Sequence, residues 1–326
     1  MLENTAFMFD RSFMNDPISD ILRLASAESV VSGGFTAGGD WAVRFPAPDR
    51  LKFFAAVRGE LWLGLETEGT TATRVTAGDV LLLTAPERFT LGSDLSRTPI
   101  DAQAVFAEQS RPIVDAGGGD DVLMIGGHVR FDTAYAPMVT EALPPLIHIR
   151  GDTPDASPMR WIIDRMVDES TEDLPGGGLA SAQLAHLLFI HVLRAHLAAG
   201  GAVRPGWLRL AVDPRLAPAL RLMHTAPGKN WRLDQLAQAS AMSRTIFAQR
   251  FRSAGGIAPL AYLAHWRMRL ATRALRHGDA TVASLARDLG YASESAFSHA
   301  FKRIVGVSPS HYAASQSYNG RVSHRR

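Results

Sequence analysis

The spacing of apolar positions changes rhythm twice along this chain of 326 residues. At the start, "NDPISDILRLA" places Asp16 to cap a helix and Pro17 at its first position, where the missing N–H is no loss. From Val30 the texture becomes short β-prone runs separated by Gly, Pro and Asp. They are "WAVRF", "LKFFAAV", "ELWLGLE", "TRVTAGDVLLLTA", "RFTLGS" and, after a flexible "DAGGGDD", "VLMIGGHVRFD". Runs of this length with turn residues between them predict an all-β sandwich or small barrel. The β pattern ends near "LPPLIHIRGDTPD" (143–155), whose prolines and turn residues mark a boundary.

Beyond that boundary the period is helical. In "SPMRWIIDRMVDES" (157–170) Met159, Ile162, Ile163, Met166 and Val167 recur every three or four residues. "PGGG" (175–178) breaks the chain, and "LASAQLAHLLFIHVLRAHLAA" (179–199) predicts a long helix, apolar over more than half its circumference. A face that wide needs a partner in its own domain or in a second subunit. "GGAVRPGW" (200–207) is a linker, and everything after Asp213 is helical in pattern. The expectation is an α+β multidomain chain: a β-rich domain at 1–155, a helical pair at 156–200, a linker at 201–213, an all-α domain at 214–315 and a flexible tail at 316–326.

The all-α part contains a repeat. "SRTIFAQRFRSAGGIAPLAY" from Ser243 and "SESAFSHAFKRIVGVSPSHY" from Ser293 share a Ser, two Phe, a Gly, a Pro and a Tyr at one offset. Each follows a short apolar helix ("WRLDQLAQAS", "TVASLARDLG") and a tight turn, which predicts two helix-turn-helix units with Ser243 and Ser293 as N-caps. Helical spacing sorts the second helices into faces. Phe247, Phe251 and Ala254, and then Phe297, Ala300, Phe301 and Ile304, form packing stripes. Thr245, Ala248, Gln249 and Arg252, and then Ser295, Ser298, His299 and Lys302, point outward, with Arg244 opening the first of these helices. Gln suits adenine, Ser suits most bases, Ala or a Thr methyl suits thymine, and Arg and Lys hold phosphates. Between the copies, "PLAYLAHWRMRLATRALRHGD" predicts one helix ending at Gly278. At ~18 residues it would span roughly 27 Å, a rigid spacer that can set two readers into major-groove segments about 34 Å apart.

Charge supports that picture. Residues 215–326 hold 17 Lys and Arg against 4 Asp and Glu, whereas residues 1–214 hold 17 against 28. A basic nucleic-acid-binding module joined to an acidic domain accounts for the split. Cysteine is absent, which excludes disulfides, zinc-thiolate sites and a cysteine nucleophile and fits a reducing compartment. The first residues lack the apolar core of an export signal, and the most apolar stretch (184–200) is too short for a bilayer of ~20 residues. A cytoplasmic protein without membrane spans is expected.

"LARDLGYASESAFSHAFKRIVGVSPSHY" resembles the C-terminal signature of the AraC/XylS family of bacterial transcriptional regulators, and residues of roughly 215–313 fit that family. The resemblance implies a seven-helix DNA-binding domain, double-stranded operator DNA and RNA polymerase as partners, and transcription regulation, usually activation. It puts base-reading positions at Thr245, Ala248, Gln249, Ser295, Ser298 and His299. His299 and Ala313 depart from it, each standing where Arg is common. Glu294 suits a helix N-terminus but would repel a nearby phosphate.

The acidic region resembles, less specifically, the cupin-like sensor domain of such regulators, a small barrel. Functional cupins hold a metal through an H-x-H pair, a Glu and a later His; here Phe53, Phe54 and Phe89 stand at those places, so no metal or other cofactor is expected. His128 and His148 are isolated in strand-like runs. His186, His191 and His196 turn about 140° apart on a helix, a poor ligand set. An aromatic-lined interior with Trp41, Phe45, Phe53, Phe54, Trp62 and Phe89 either holds a small apolar effector or simply fills the core; Trp41, Phe53, Trp62 and Phe89 are the effector-contact candidates. The expected protein is a DNA-binding regulator, not an enzyme, with a sensing or dimer-forming N-terminal domain. The alternatives are a cupin-type metalloenzyme with a DNA-binding appendage and a constitutive DNA binder whose N-terminal domain only dimerises.

Overall fold

The computed structural model describes residues 16–67, 71–84, 87–107, 112–172, 174–278 and 280–315; the segment before Asp16 and the tail expected at 316–326 lie outside them. By their contacts, residues 25–203 form one unit, and the described residues of 1–24 and 204–326 form another.

The chain enters through helix α1 (Pro17–Leu24). As the sequence predicts, Asp16 accepts hydrogen bonds from the N–H groups of Ile18 (3.1 Å) and Ser19 (3.3 Å), and Pro17 is the first helical residue. Then follow β1 (Glu28–Ala37), β2 (Ala42–Phe45), β3 (Leu51–Arg58), β4 (Glu60–Leu65), β5 (Thr73–Thr76), β6 (Val80–Leu83), β7 (Phe89–Gly92) and β8 (Ile100–Asp101). After them come the short helix α2 (Ala102–Phe106), β9 (Ile113–Asp115), β10 (Val122–Arg130), α3 (Ala136–Thr140) and β11 (Leu146–Ile149). One sheet has the order β11-β6-β3-β10-β1-β9 and the other β5-β4-β7-β2-β8. The expected small barrel is thus built as two sheets. Between them lies an apolar core that includes Phe35, Trp41, Phe45, Phe54, Phe89 and Leu91.

Each of the β-prone runs contributes a strand, "TRVTAGDVLLLTA" two of them, but β1 does not stand out in the sequence. Its "SGGF" interrupts the pattern, and the register with β10 slips between Val31 and Gly33, a bulge that the period-two rule cannot anticipate. Asp79 fastens the β5–β6 turn to the end of β11. It is buried and accepts from the N–H groups of Thr76 (3.0 Å) and Gly151 (2.7 Å), with His148 Nε2 at 2.8 Å. Burial pushes this carboxyl up, but the bonds from His148, Gly151 and Thr76 outweigh it and hold the group below the ordinary carboxylate range.

Helices α4 (Ser157–Thr171) and α5 (Gly177–Ala198) pack on each other, and α5 lies along β1. At 22 residues, α5 is long and apolar enough to cross a membrane by length and composition. The objection of insufficient length, drawn from residues 184–200, therefore fails. Leu188, Phe189, Val192 and Leu193 are buried within the unit, whereas Leu179 and Leu187 of the same helix are exposed.

The second unit contains α6 (Trp207–Val212), α7 (Ala217–Thr225), α8 (Leu233–Ala239), α9 (Arg244–Gly255), α10 (Pro259–His277), α11 (Val282–Asp288) and α12 (Glu294–Val305). Residues 309–315 continue as helix. Helix α1 packs on α6 and α7. It is held there by a buried chain in which His224 Nδ1 lies 3.2 Å from Asp20 Oδ2 and His224 Nε2 lies 2.9 Å from the Tyr262 hydroxyl. The imidazole also stacks on Trp266 with centroids 3.9 Å apart.

Candidate nucleic-acid interface and ligand cavity

Each helix-turn-helix is assembled by the same contacts. Ser243 Oγ accepts from the N–H of Ile246 (3.4 Å), and Ser293 Oγ accepts from the N–H of Ala296 (3.1 Å), so both are the expected N-caps. Phe247 and Phe251 are fully buried in the first copy, as are Phe297 and Phe301 in the second. Phe251 meets Tyr262 edge-on at 5.8 Å, and Phe301 meets Tyr312 edge-on at the same 5.8 Å. The repeated Tyr is therefore a packing residue that clamps each second helix from the segment following it. Helix α10 touches both α9 and α12, and its 19 residues correspond to about 28 Å.

The first helices are offset by 49 positions and the second helices by 50, because the turn of the later copy is one residue longer. Both turns need a left-handed residue after the first helix. Gly290 supplies it in the later copy (φ +74°), whereas Ala241 does so in the earlier one (φ +49°), at a cost to any residue with a Cβ.

The outward faces are open. Arg244, Thr245, Gln249 and Arg252 are exposed on α9, as are Ser295, His299 and Lys302 on α12, while Ala248 and Ser298 are half-buried among them. Exposed basic residues divide into two sets. Arg250 is turned onto Asp213, with Nε and Nη2 at 3.0 and 2.9 Å from Oδ2. Arg232 holds Asp234, and Arg287 holds Asp288. Arg244, Arg252 and Lys302 are exposed and have no acidic partner among the described residues.

In the sandwich, a cavity of about 300 Å³ opens beside α2, with Phe35, Phe45, Phe54 and Phe106 on its walls and Lys52 at its edge. Trp41, Phe53, Trp62 and Phe89 do not line it. Strand alternation explains Phe53, since adjacent residues point to opposite faces: Phe54 enters the core between the sheets and Phe53 leaves it. Trp41 and Phe89 are packed inside that core and Trp62 lies half-buried on β4. Phe45 and Phe54, named with the interior aromatics, do line the cavity, together with parts of β1 and α2, two elements that the sequence pattern did not mark.

The residues present do not fit a cupin metal. Phe53 and Phe54 occupy β3 and Phe89 occupies β7, and no group of three His, Asp or Glu converges among the described residues. His128 is engaged with Ser32 (3.0 Å) and Arg50 (3.2 Å), and His148 with Asp79. His186 Nδ1 lies 3.5 Å from the Ser29 hydroxyl and His196 Nε2 lies 3.0 Å from the Ala202 carbonyl.

A sheet sandwich followed by a basic unit with two helix-turn-helix readers defines a DNA-binding regulator. A cupin family matches residues 16–198 and a helix-turn-helix domain family matches residues 236–315. The chain is 42% identical over 298 residues to an AraC-like transcription regulator of Streptomyces lividans, covering 91% of this chain and 97% of that one. It is 41% identical over 297 residues to another from Streptomyces antibioticus, covering 91% and 98%. The DNA-binding domain of the global transcriptional factor AdpA, solved with a target DNA, is 33% identical; the match covers 33% of this chain and 96% of that one, with a TM-score of 0.30. This chain belongs to the AraC family of transcriptional regulators, with a cupin domain preceding its DNA-binding domain.

Proposed function

We propose that α9 and α12 divide the reading of one operator, each entering its own major-groove segment on the same face of the duplex. The observation that carries this reading is the pairing pattern of the cations. Arg250 is spent on Asp213, while Arg244, Arg252 and Lys302 flank the exposed Thr245, Gln249, Ser295 and His299 without an acidic partner among the described residues. In this reading Gln249, Thr245 and Ala248 meet base edges in one segment, and Ser295, Ser298 and His299 meet them in the other. Arg244, Arg252 and Lys302 hold phosphates. The protein acts in the cytoplasm as an activator in contact with RNA polymerase. It spans no membrane and has no enzymatic activity or cofactor of its own.

The cupin unit serves as a small-molecule sensor, supported by its phenylalanine-walled cavity. A homodimer is supported by the exposure of Trp161 (58%) and Leu179 (70%) on α4 and α5. The roles on α9 are tested by binding Gln249→Ala and Arg252→Ala to a panel of single-base operator variants. Gln249→Ala should relax preference at one base pair by ~1–3 kcal/mol, whereas Arg252→Ala should weaken every variant alike. Indistinguishable profiles would show that the assignment is wrong.

A further inference from the structure

Helix α9 carries one large apolar side chain that the packing of its unit does not use. On α9 and α12, Phe247, Phe251, Phe297 and Phe301 are buried, and Ile304 and Val305 are half-buried. Among the described residues of these two helices, Ile246 is the large apolar side chain left open, at 55% exposure. It is the third residue of α9, in the turn capped by Ser243, one position after Thr245 and three before Gln249. It therefore neighbours the exposed side chains assigned above to base edges. A β-branched residue is a poorer helix former than alanine, so neither core packing nor helix propensity accounts for an isoleucine here. The later reader has Ala296 at the matching position, half-buried.

The surroundings keep this side chain uncovered. A long side chain on a helix leans back over the turn before its own Cα, which puts Arg250, four residues on, in position to shield Ile246. Arg250 is committed elsewhere, with Nε and Nη2 at 3.0 and 2.9 Å from Asp213 Oδ2. The ion pair removes a cation from the reading face and leaves an aliphatic branch standing beside Gln249. Among base edges in the major groove, the apolar group is the C5 methyl of thymine; the other bases present hydrogen-bonding groups there. The N-terminal residues of a recognition helix are the ones that reach those edges. An aliphatic side chain at that place gains by burial against a methyl and leaves the polar edge of any other base without a partner.

We propose that Ile246 is a specificity-determining residue that packs on the C5 methyl of a thymine in the operator. The inference rests on the reading that α9 enters the major groove, and it adds a base preference to that reading. Gln249 suits adenine and Thr245 and Ala248 suit thymine, so with Ile246 the whole exposed edge of α9 selects A·T pairs. Helix α12 presents Ser295, Ser298 and His299 with no comparable exposed apolar side chain.

The test uses the full chain and a duplex that it selects from a random-sequence library, with each thymine replaced in turn by deoxyuridine, which lacks only the methyl. Wild type should lose about four-fold in affinity at one thymine, the value of one buried methyl contact. Ile246→Ala should bind the thymine duplex about four-fold more weakly than wild type and be indifferent to deoxyuridine at that position. Ile246→Val should keep most of the affinity. Alanine is the better helix former, so Ile246→Ala should fold, with an undiminished melting temperature as the check. The proposal is overturned if Ile246→Ala binds the thymine duplex as tightly as wild type, if it loses equally on thymine and deoxyuridine duplexes, or if no deoxyuridine weakens wild type. Gln249→Ala on the single-base panel separates this claim from the reading of α9. If Gln249→Ala changes base preference while Ile246→Ala is silent, α9 reads the groove without Ile246; if both are silent, the reading of α9 falls as well.

Discussion

His224 shows how one residue can bind an N-terminal helix into a C-terminal unit. Its imidazole is 1% exposed, and burial lowers its pKa despite the opposing Asp20 carboxylate. In the neutral ring, Nδ1–H donates to Asp20 while Nε2 accepts from the Tyr262 hydroxyl, whose own pKa burial raises. The unfolded chain takes up a proton near pH 6.5 and the folded chain takes it up at a lower pH, so stability falls as pH drops below about 6.5. Urea denaturation at pH 7.5 and 5.5 should show this loss for the second unit, and His224→Gln should lessen it. An unchanged pH slope in the variant would assign the effect elsewhere. Nothing in "LMHTAP" announces this role. A histidine on a helix carries no local signal of a partner 204 positions away, and the capping signal of Asp16 and Pro17 reports the helix but not where it docks. By contrast, the faces of α9 and α12 were legible residue by residue. A 3.6-residue period forces Phe247 and Phe251 to one side and Thr245 and Gln249 to the other.

At the scale of elements, the two readers differ where their sequences do. Ser293→Ala should cost ~1 kcal/mol, the usual loss on removing an N-cap. Ala241→Gly should stabilise by ~1 kcal/mol, because Ala241 occupies a left-handed conformation that Gly290 adopts without strain. Thermal denaturation of the two variants should move in opposite directions. The repeat was readable because each copy states the same caps, Phe pair and Tyr clamp within 20 residues. The sandwich was readable only in its alternating strands. β1, with a bulge and adjacent glycines, and the short α2 carry weak local patterns, yet they form one wall of the cavity. For that reason the effector candidates drawn from aromatic content did not coincide with its lining. Composition names the aromatic residues, and only sheet register decides which face each occupies.

Across the whole molecule, charge is partitioned by sequence position, with an excess of 13 positive charges after residue 214 and of 11 negative charges before it. Binding to an operator should weaken steeply with salt through counter-ion release. Lys302→Ala should reduce the slope of log K against log salt by about one, as expected for one lost phosphate contact. An unchanged slope would remove Lys302 from the backbone contacts. The central claim is that one chain reads two groove segments. Methylation-protection footprinting of purified operator tests it most directly, using wild type, Gln249→Ala and a Ser298→Ala/His299→Ala double variant. The account predicts two protected major-groove segments about 10 base pairs apart on one face, with Gln249→Ala altering protection in one and the double variant altering it in the other. A single protected segment, or both variants altering the same one, would contradict it.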